Sequence, residues 1–176
     1  ILIGGRLDKH NMVDNVIFSP RANLRFNPTQ NINLRLSYSS GFRAPQAFDE
    51  DMHIENVGGT VAMIERAKDL KEEKSQSFSV SADMYHRFGA FQTNLLIEGF
   101  YTRLTDVFVL GKPYDRGDGI LVKTRSNGPG AKVMGLTLEG KVAYLSILQI
   151  QAGLTLQRSR YDEPHKWHDD APAEKK

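Results

Sequence analysis

Six stretches of the chain alternate apolar and polar residues at a strict period of two, the pattern of a β-strand with two different faces. In the clearest stretch, 31–39, Ile32 and Leu34 fall on one face while Asn33 and Arg35 fall on the other. The remaining stretches are 21–27, 77–84, 92–102, 134–144 and 148–157. The pattern therefore predicts an all-β protein.

The connections between these stretches alternate between short and long. Short turns are predicted at 27–30, 88–91 and 145–147, and long connections at about 9–18, 41–73 and 111–129. Outer-membrane barrels have short periplasmic turns and long external loops. We therefore predict an antiparallel up-and-down meander of about seven strands, part of a transmembrane β-barrel. The barrel segment is 1–160, and 161–176 is a polar external loop or tail.

Strand length and aromatic placement agree with a membrane barrel. The runs 75–88, 91–110 and 147–160 exceed the ordinary strand length of about 5–6 residues, and a membrane-crossing strand needs about 9–11. Aromatic residues that would suit an interfacial girdle lie beside the short turns: Phe26, Phe88, Phe91 and Tyr144. A soluble β-sandwich that binds carbohydrate or protein is the alternative, because its strands also alternate.

Composition removes other classes of protein. Mean hydropathy is negative, and no apolar run approaches the ~20 residues of a spanning helix, which excludes a helical membrane protein. The chain has no cysteine, so disulfides, thiolate metal sites and cysteine nucleophiles are excluded. No Gly-x-Ser-x-Gly elbow or other catalytic spacing occurs, so no enzyme is expected. No cofactor is expected either.

Four arginines share the predicted polar faces of the first strands, within a net charge of only +2. They are Arg6, Arg21, Arg25 and Arg35. One interpretation is a positive lumen wall that holds an acidic partner domain or attracts an anionic ligand. The alternative is that these arginines are solvated and pair with Asp83, Glu98 and Glu139.

Three sequence phrases occur in the order found in a known family. Gly-Phe-Arg-Ala-Pro at 41–45 resembles the phrase with which strands of TonB-dependent outer-membrane receptors leave the membrane. The segment 70–77 looks like their re-entry phrase L-x-P-E-x-S, although Glu72 stands where proline is common. The segment 127–136 is similar to their N-x-G-x-A strand, with Glu139 slightly late. The resemblance covers roughly 20–145 and is of the Bacteroides type.

The resemblance implies a barrel of about 22 antiparallel strands whose lumen holds an N-terminal plug domain. It implies capture of a scarce nutrient such as an iron–siderophore complex or cobalamin, and import with energy from the TonB complex. The implied partners are outer-membrane lipid, the plug of the same polypeptide, TonB through that plug, and the nutrient ligand. We expect the chain to be an internal piece without the plug. Its open strand edges predict self-association.

Ligand contact is expected in the long connections, because loops on a rigid scaffold carry recognition. The candidate residues are Phe42, Arg43, Phe48, Met52, His53 and Arg66, with Trp167 in the tail. Apolar residues between Val61 and Leu70 have near-helical spacing, which is compatible with a short helix. The acidic triplet 49–51 and the pair His165 and His168 are interpreted as solvated loop residues, and no metal site is expected.

Overall fold

The computed structural model describes residues 1–11, 13, 15–45, 62–117 and 121–164. Within these ranges the chain forms eleven β-strands and no helix. The strands are β1 (Leu2–Asp8), β2 (Ile17–Thr29), β3 (Ile32–Arg43), β4 (Ala62–Arg66), β5 (Glu73–Phe88), β6 (Phe91–Thr105), β7 (Val107–Leu110), β8 (Tyr114–Asp115), β9 (Leu121–Gly128), β10 (Ala131–Tyr144) and β11 (Leu148–Tyr161). No helix in the described residues is long and apolar enough to cross a membrane.

Seven strands form one antiparallel sheet in the order β1-β2-β3-β5-β6-β10-β11. Each of these strands lies beside the next one of the set along the chain, so the sheet is an up-and-down meander. β5, β6, β10 and β11 are 16, 15, 14 and 14 residues long. The all-β fold class and the seven antiparallel strands predicted from the alternating pattern are confirmed.

The three hairpin turns of this sheet are short because local residues permit sharp reversals. Gly89 has a φ of +57° in the β5–β6 turn, a conformation that glycine adopts without steric cost. Leu145 takes a φ of +49° in the β10–β11 turn. The β2–β3 turn lies at 30–31 rather than 27–30, and the ladder shifts register between Phe26 and Thr29. Pro28 in this interval has no N–H for the ladder.

The two faces of the sheet differ in exposure in the opposite sense to a soluble sheet. The apolar face includes the cross-strand row Leu24, Leu36, Val80, Leu136 and Leu156. The polar face includes the row Arg25, Arg35, Ser81, Glu98 and Thr137. In β10 the apolar residues are exposed, whereas the polar residues between them are half-buried. The polar face is therefore the more shielded one.

No second layer covers the apolar face in the described part of the chain. The buried hydrophobic residues described are only Val13, Ile17 and Val122, while Val80 is 59% exposed. A soluble sheet packs its apolar face against a core, and large contiguous apolar patches are rare on soluble monomers. The seven strands therefore form one sheet rather than the two packed sheets of the alternative, a β-sandwich with a buried apolar core.

Aromatic side chains border the apolar face at both ends. Near the short turns, the Phe91 ring centroid lies 5.5 Å from that of Phe88 and 4.9 Å from that of Tyr144. Phe26 lies outside this row, opposite Leu34. Tyr38, Phe78 and Tyr101 form a row towards the other end. Phe88 follows Phe78 by ten residue steps along β5, about 33 Å of strand. A tilt of about 40° reduces this length to about 25 Å, the height of the apolar band of outer-membrane barrels.

A smaller sheet stands at the end opposite the short turns, called here the long-connection end. β9 is its centre, pairing in parallel with β4 and antiparallel with β7 and β8. The short helix suggested by the spacing of residues 61–70 does not form, because 62–66 is the strand β4. The run 91–110 is two strands, since Asp106 has a φ of +55° and β7 leaves the main sheet.

Candidate ligand-binding site

The side chain of Asn127 joins the smaller sheet to the connections that lead into β5 and out of β6. Its Oδ1 accepts a hydrogen bond from the Lys71 N–H at 2.7 Å. Its Nδ2 donates to the carbonyl oxygens of Lys71 at 3.0 Å and Asp106 at 2.8 Å. One amide therefore satisfies backbone groups of two separate connections. The first residue of the N-x-G-x-A phrase thus has a structural role at the base of the long connections.

A second attachment lies at the ends of β3 and β5. The Phe108 N–H donates to Oε2 of Glu73 at 3.1 Å. The guanidinium carbon of Arg43 lies 5.3 Å from the centroid of the Phe108 ring, within cation–π distance. Arg43, a candidate ligand residue, therefore contacts the base of the smaller sheet.

The other candidate contact residues lie in separate places. The guanidinium carbon of Arg6 lies 5.9 Å from the ring centroid of Phe42. Arg66 ends β4 opposite Arg125 and lines a cavity of about 270 Å³ with Pro45, Lys68 and Leu70. Phe48, Met52, His53 and Trp167 lie outside the described residues, as do the acidic triplet 49–51, His165 and His168. Among the described residues, Phe42 contacts Arg6, Arg43 contacts Phe108, and Arg66 lines the cavity at Pro45.

A basin on the polar face was not predicted as a site. It has a volume of about 470 Å³ and is lined by Gly4, Gly5, Arg6, Ser19, Arg21, Ser39 and Ser40. Arg6 Nε donates to Asp8 Oδ2 at 2.7 Å, and the Arg6 side chain is 68% exposed. A Cβ on Gly4 would approach Arg21 Nε to 2.9 Å, so the glycine leaves room for that guanidinium. The basin could have been predicted from Gly4 lying opposite Arg21. That pairing depends on the register of β1 against β2, which the sequence alone does not give.

Further along the polar face, Arg25 and Arg35 lie directly opposite each other on β2 and β3. Like charges in this arrangement repel. Arg25 Nε donates to the side-chain oxygens of Asn27 at 3.2 Å and Asn33 at 3.1 Å. Neither arginine forms an ion pair within the described ranges.

The acidic residues of the polar face have other partners. Asp83 accepts hydrogen bonds from Tyr85 at 2.8 Å and from Asn94. Glu139 accepts one from Gln151 at 2.7 Å. In the part of the chain that the structure describes, no ion pair joins Arg6, Arg21, Arg25 or Arg35 to Asp83, Glu98 or Glu139. The sequence interpretation in which those pairs neutralise the arginines is wrong.

Glu72 is a carboxylate with a shifted pKa at the base of the long connection before β5. Burial by itself raises its pKa, but a hydrogen bond from its own backbone N–H and the ammonium groups of Lys74 and Lys71 outweigh burial. The net pKa lies below the ordinary 4.5. Lys74 Nζ lies 3.0 Å from Oε1 of Glu72, whose side chain is only 12% exposed. No group of three or more potential metal ligands occurs among the residues described.

Comparison with solved structures finds proteins of the same fold. Two solved structures of the FrpB iron transporter from Neisseria meningitidis are similar to this chain, each at 19% identity. The F3-3 variant has a TM-score of 0.60 over 84% of this chain and 20% of that one. The F5-1 variant has a TM-score of 0.61 over 90% of this chain and 22% of that one. The chain thus spans about a fifth of these transporters.

No curated protein sequence matches the chain significantly. The family model described as TonB dependent receptor-like, beta-barrel, matches residues 1–175. The matched residues include all seven strands of the main sheet and the three motif segments described above. The chain therefore belongs to the TonB-dependent receptor β-barrel family, a family of receptors and transporters of the bacterial outer membrane.

Proposed function

We propose that this chain is part of an active transporter that captures a scarce nutrient, such as an iron–siderophore complex or cobalamin, and imports it with energy from the TonB complex. The observation that carries the proposal is the arginine-lined polar face, with the basin at Arg6 and Arg21 near the long-connection end. Family membership and the iron transport named for the FrpB structures support it. Arginine clusters suit anionic ligands because guanidinium groups bind carboxylates in a bidentate manner.

We propose that the long-connection end faces the outside and receives the ligand first. Phe42, Arg43 and Arg66 belong to this end among the described residues. Phe48, Met52, His53 and Trp167 complete the proposed contact set. The external loops therefore capture the ligand, and the basin at Arg6 and Arg21 receives it lower in the lumen.

The Arg25–Arg35 pair supports a plug domain as the occupant of the lumen. Two cations face each other across neighbouring strands with no carboxylate partner in the described ranges. An acidic side chain of the plug placed between them would replace repulsion by two charge-assisted hydrogen bonds. In this proposal the plug belongs to the same polypeptide and carries the contact with TonB.

Nutrient accumulation in cells tests the proposal. A strain that lacks the gene of the full-length protein is complemented with the unaltered gene and supplied with labelled iron–siderophore complexes and labelled cobalamin. We expect accumulation of one ligand class, and its loss when TonB is removed. Accumulation that continues without TonB, or no accumulation of any supplied nutrient, would contradict the proposed transport.

Variants then locate the ligand path. The double variant R6Q/R21Q removes two charges from the basin and is expected to lower accumulation at limiting ligand by roughly tenfold, from about 1.4 kcal/mol of lost binding. The control is Arg87→Gln, one charge lost from the polar face at the short-turn end of β5. Equal accumulation in both variants would remove the basin from the ligand path.

A further inference from the structure

All strongly charged side chains on the apolar face of the seven-stranded sheet are cations. Register and alternation place Lys74, Arg103, Lys132, Arg158 and Arg160 on this face. Asp and Glu are absent from this face within the seven strands, all of which are described. Each of the five cations lies at the long-connection end, beyond or level with the row of Tyr38, Phe78 and Tyr101.

Four of these cations are neighbours and form what we call the basic patch: Arg103, Lys132, Arg158 and Arg160. Arg103, Lys132 and Arg160 occupy one cross-strand row, in which neighbouring side chains begin about 5 Å apart. Arg158 lies two residues nearer the apolar band on the same strand as Arg160. The row presents its charges over about 10 Å, a width that suits a phosphate-bearing headgroup.

One carboxylate neutralises only part of the basic patch. Asp162 Oδ1 lies 2.8 Å from Lys132 Nζ, and its Oδ2 lies 3.8 Å from a guanidinium nitrogen of Arg103. Arg158 and Arg160 have no carboxylate partner among the described residues. A surplus of positive charge therefore remains where the apolar band ends.

An apolar groove begins beside Arg158 and continues along the apolar face. It has a volume of about 650 Å³, and its lining includes Phe78, Val80, Tyr101, Leu136 and Arg158. Gly99 forms its floor between Val80 and Leu136. A Cβ at Gly99 would meet only Val80 Cγ1, at 3.7 Å, so the groove exists because this position has no side chain.

We propose that the basic patch and the groove together bind one phosphate-bearing lipid of the outer leaflet. The headgroup phosphate accepts charge-assisted hydrogen bonds from Arg158 and Arg160, and one acyl chain lies in the groove over Gly99. The juxtaposition of surplus cations with an apolar groove selects a lipid over a soluble anion, since a soluble anion gains nothing from the groove. The inference rests on the proposed outward orientation of the long-connection end and is independent of the nutrient.

Lipid binding to the full-length protein in detergent tests the site without reading transport. Native mass spectrometry would measure binding of lipid A, which carries phosphates, and of the same lipid after enzymatic removal of its phosphates. We expect the phosphorylated lipid to bind roughly 10- to 30-fold more tightly, as two arginine contacts imply. Equal binding of the two lipids would overturn the proposal. This comparison uses the unaltered protein, so its result does not depend on whether a variant folds.

Two variants test the two halves of the site. R158Q/R160Q should lose the preference for phosphorylated lipid, whereas R87Q/K141Q, which removes the same charge from the polar face, should keep it. Gly99→Leu should weaken both lipids by a similar factor, because it fills the groove and leaves the patch intact. Inorganic phosphate in excess should not displace lipid A. Loss of the preference in R87Q/K141Q, or displacement by inorganic phosphate, would count against a lipid site.

Discussion

The two faces of the seven-stranded sheet are built from the same strands and follow different rules of charge. The polar face mixes signs, with Arg25 and Arg35 in the same sheet as Asp83, Glu98 and Glu139. The apolar face carries cations alone, and they all lie at one end of the strands. The difference teaches that alternation along a strand decides which face a residue joins, whereas its height along the strand decides which polar groups that face tolerates.

The physical reason lies in the surroundings of each face. The polar face lines a water-accessible lumen, where charges of both signs are hydrated or bonded to neighbours such as Asn33 and Tyr85. The apolar face meets hydrocarbon over a band of about 25 Å, in which an unpaired charge costs several kcal/mol. Charges therefore appear on that face only beyond the aromatic row, where headgroups begin.

The largest effect is expected from a charge placed in the middle of the apolar face. Leu138→Arg replaces a residue that lies opposite Ile97 and Leu154 and should lower the free energy of unfolding by about 2–4 kcal/mol. The control, Thr137→Arg, differs by one residue and points to the polar face, so it should cost less than about 1 kcal/mol. Unfolding of the full-length protein in lipid vesicles measures both. Equal costs would break the distinction between the faces.

Phe100 is an apolar residue on the polar face, and its ring occupies the space that a side chain at Gly135 would fill. A Cβ at Gly135 would come within 2.5 Å of the Phe100 ring and 2.6 Å of the Leu156 carbonyl oxygen. Gly135→Ala should therefore cost about 1–3 kcal/mol. Gly140 in the same strand has no atom within 4 Å of its added Cβ, so Gly140→Ala should be nearly neutral. Similar costs in thermal unfolding would show that Phe100 does not depend on Gly135.

A smaller effect is expected from pH at Glu72, the carboxylate that pairs with Lys74. Because its folded pKa lies below the ordinary 4.5, the ion pair stabilises the fold above that pH and is lost as pH falls through the folded pKa. The loss should be at most about 1 kcal/mol, since Lys74 is 53% exposed. Hydrogen exchange near 71–74 should rise on acidification, and Glu72→Gln should abolish this pH dependence. An unchanged pH dependence in that variant would assign it to another group.

The smallest change in stability is expected from Arg35→Gln, and its sign should depend on whether the plug is present. Arg35→Gln removes the repulsion between Arg35 and Arg25 and should stabilise a barrel without its plug by about 0.2–1 kcal/mol. In the full-length protein the same variant should lower stability, because it removes a contact with the proposed acidic plug residue. Thermal unfolding of both forms tests this. A change of the same sign in both would argue against plug contact at Arg25 and Arg35.

The isolated 176 residues offer a further test of the sheet edges. β1 and β11 end the strand order, so each has one edge without a strand partner in the described sheet. Exposed edges pair with other chains. We expect light scattering of this segment alone to find oligomers formed by strand addition. A strictly monomeric species would contradict this expectation.

The long strands were predicted well from the sequence because apolar and polar residues alternate within each of them. The run from Ile32 to Ser39 needed no distant partner to be recognised. The strand β4 was missed because its partner β9 lies more than fifty residues away, and short apolar runs fit helix and strand spacing equally. The end of β6 was missed because Asp106 alone, at positive φ, turns the chain into β7.

The candidate site was predicted less well because it depends on register between strands. Arg6 and Arg21 were recognised as polar-face residues, but their common basin requires Gly4 to lie opposite Arg21. The pairing of Arg25 with Asn33 rather than with a carboxylate depends in the same way on which strand is adjacent. Of the proposed contact residues, Phe42, Arg43 and Arg66 are described, and each contacts a different group, so their joint role stays a prediction.

The central claim, that alternate residues face lipid and water, is tested most directly by single labels along β10. The chain contains no cysteine, so a cysteine introduced in this segment labels one position. Spin labels at Met134, Leu136 and Leu138, and at Thr137, Glu139 and Lys141, would be measured in the full-length protein in bilayers with oxygen and a water-soluble nickel complex. The account predicts oxygen access at the first three positions and nickel access at the other three. Uniform access along the strand, or the reverse alternation, would contradict it.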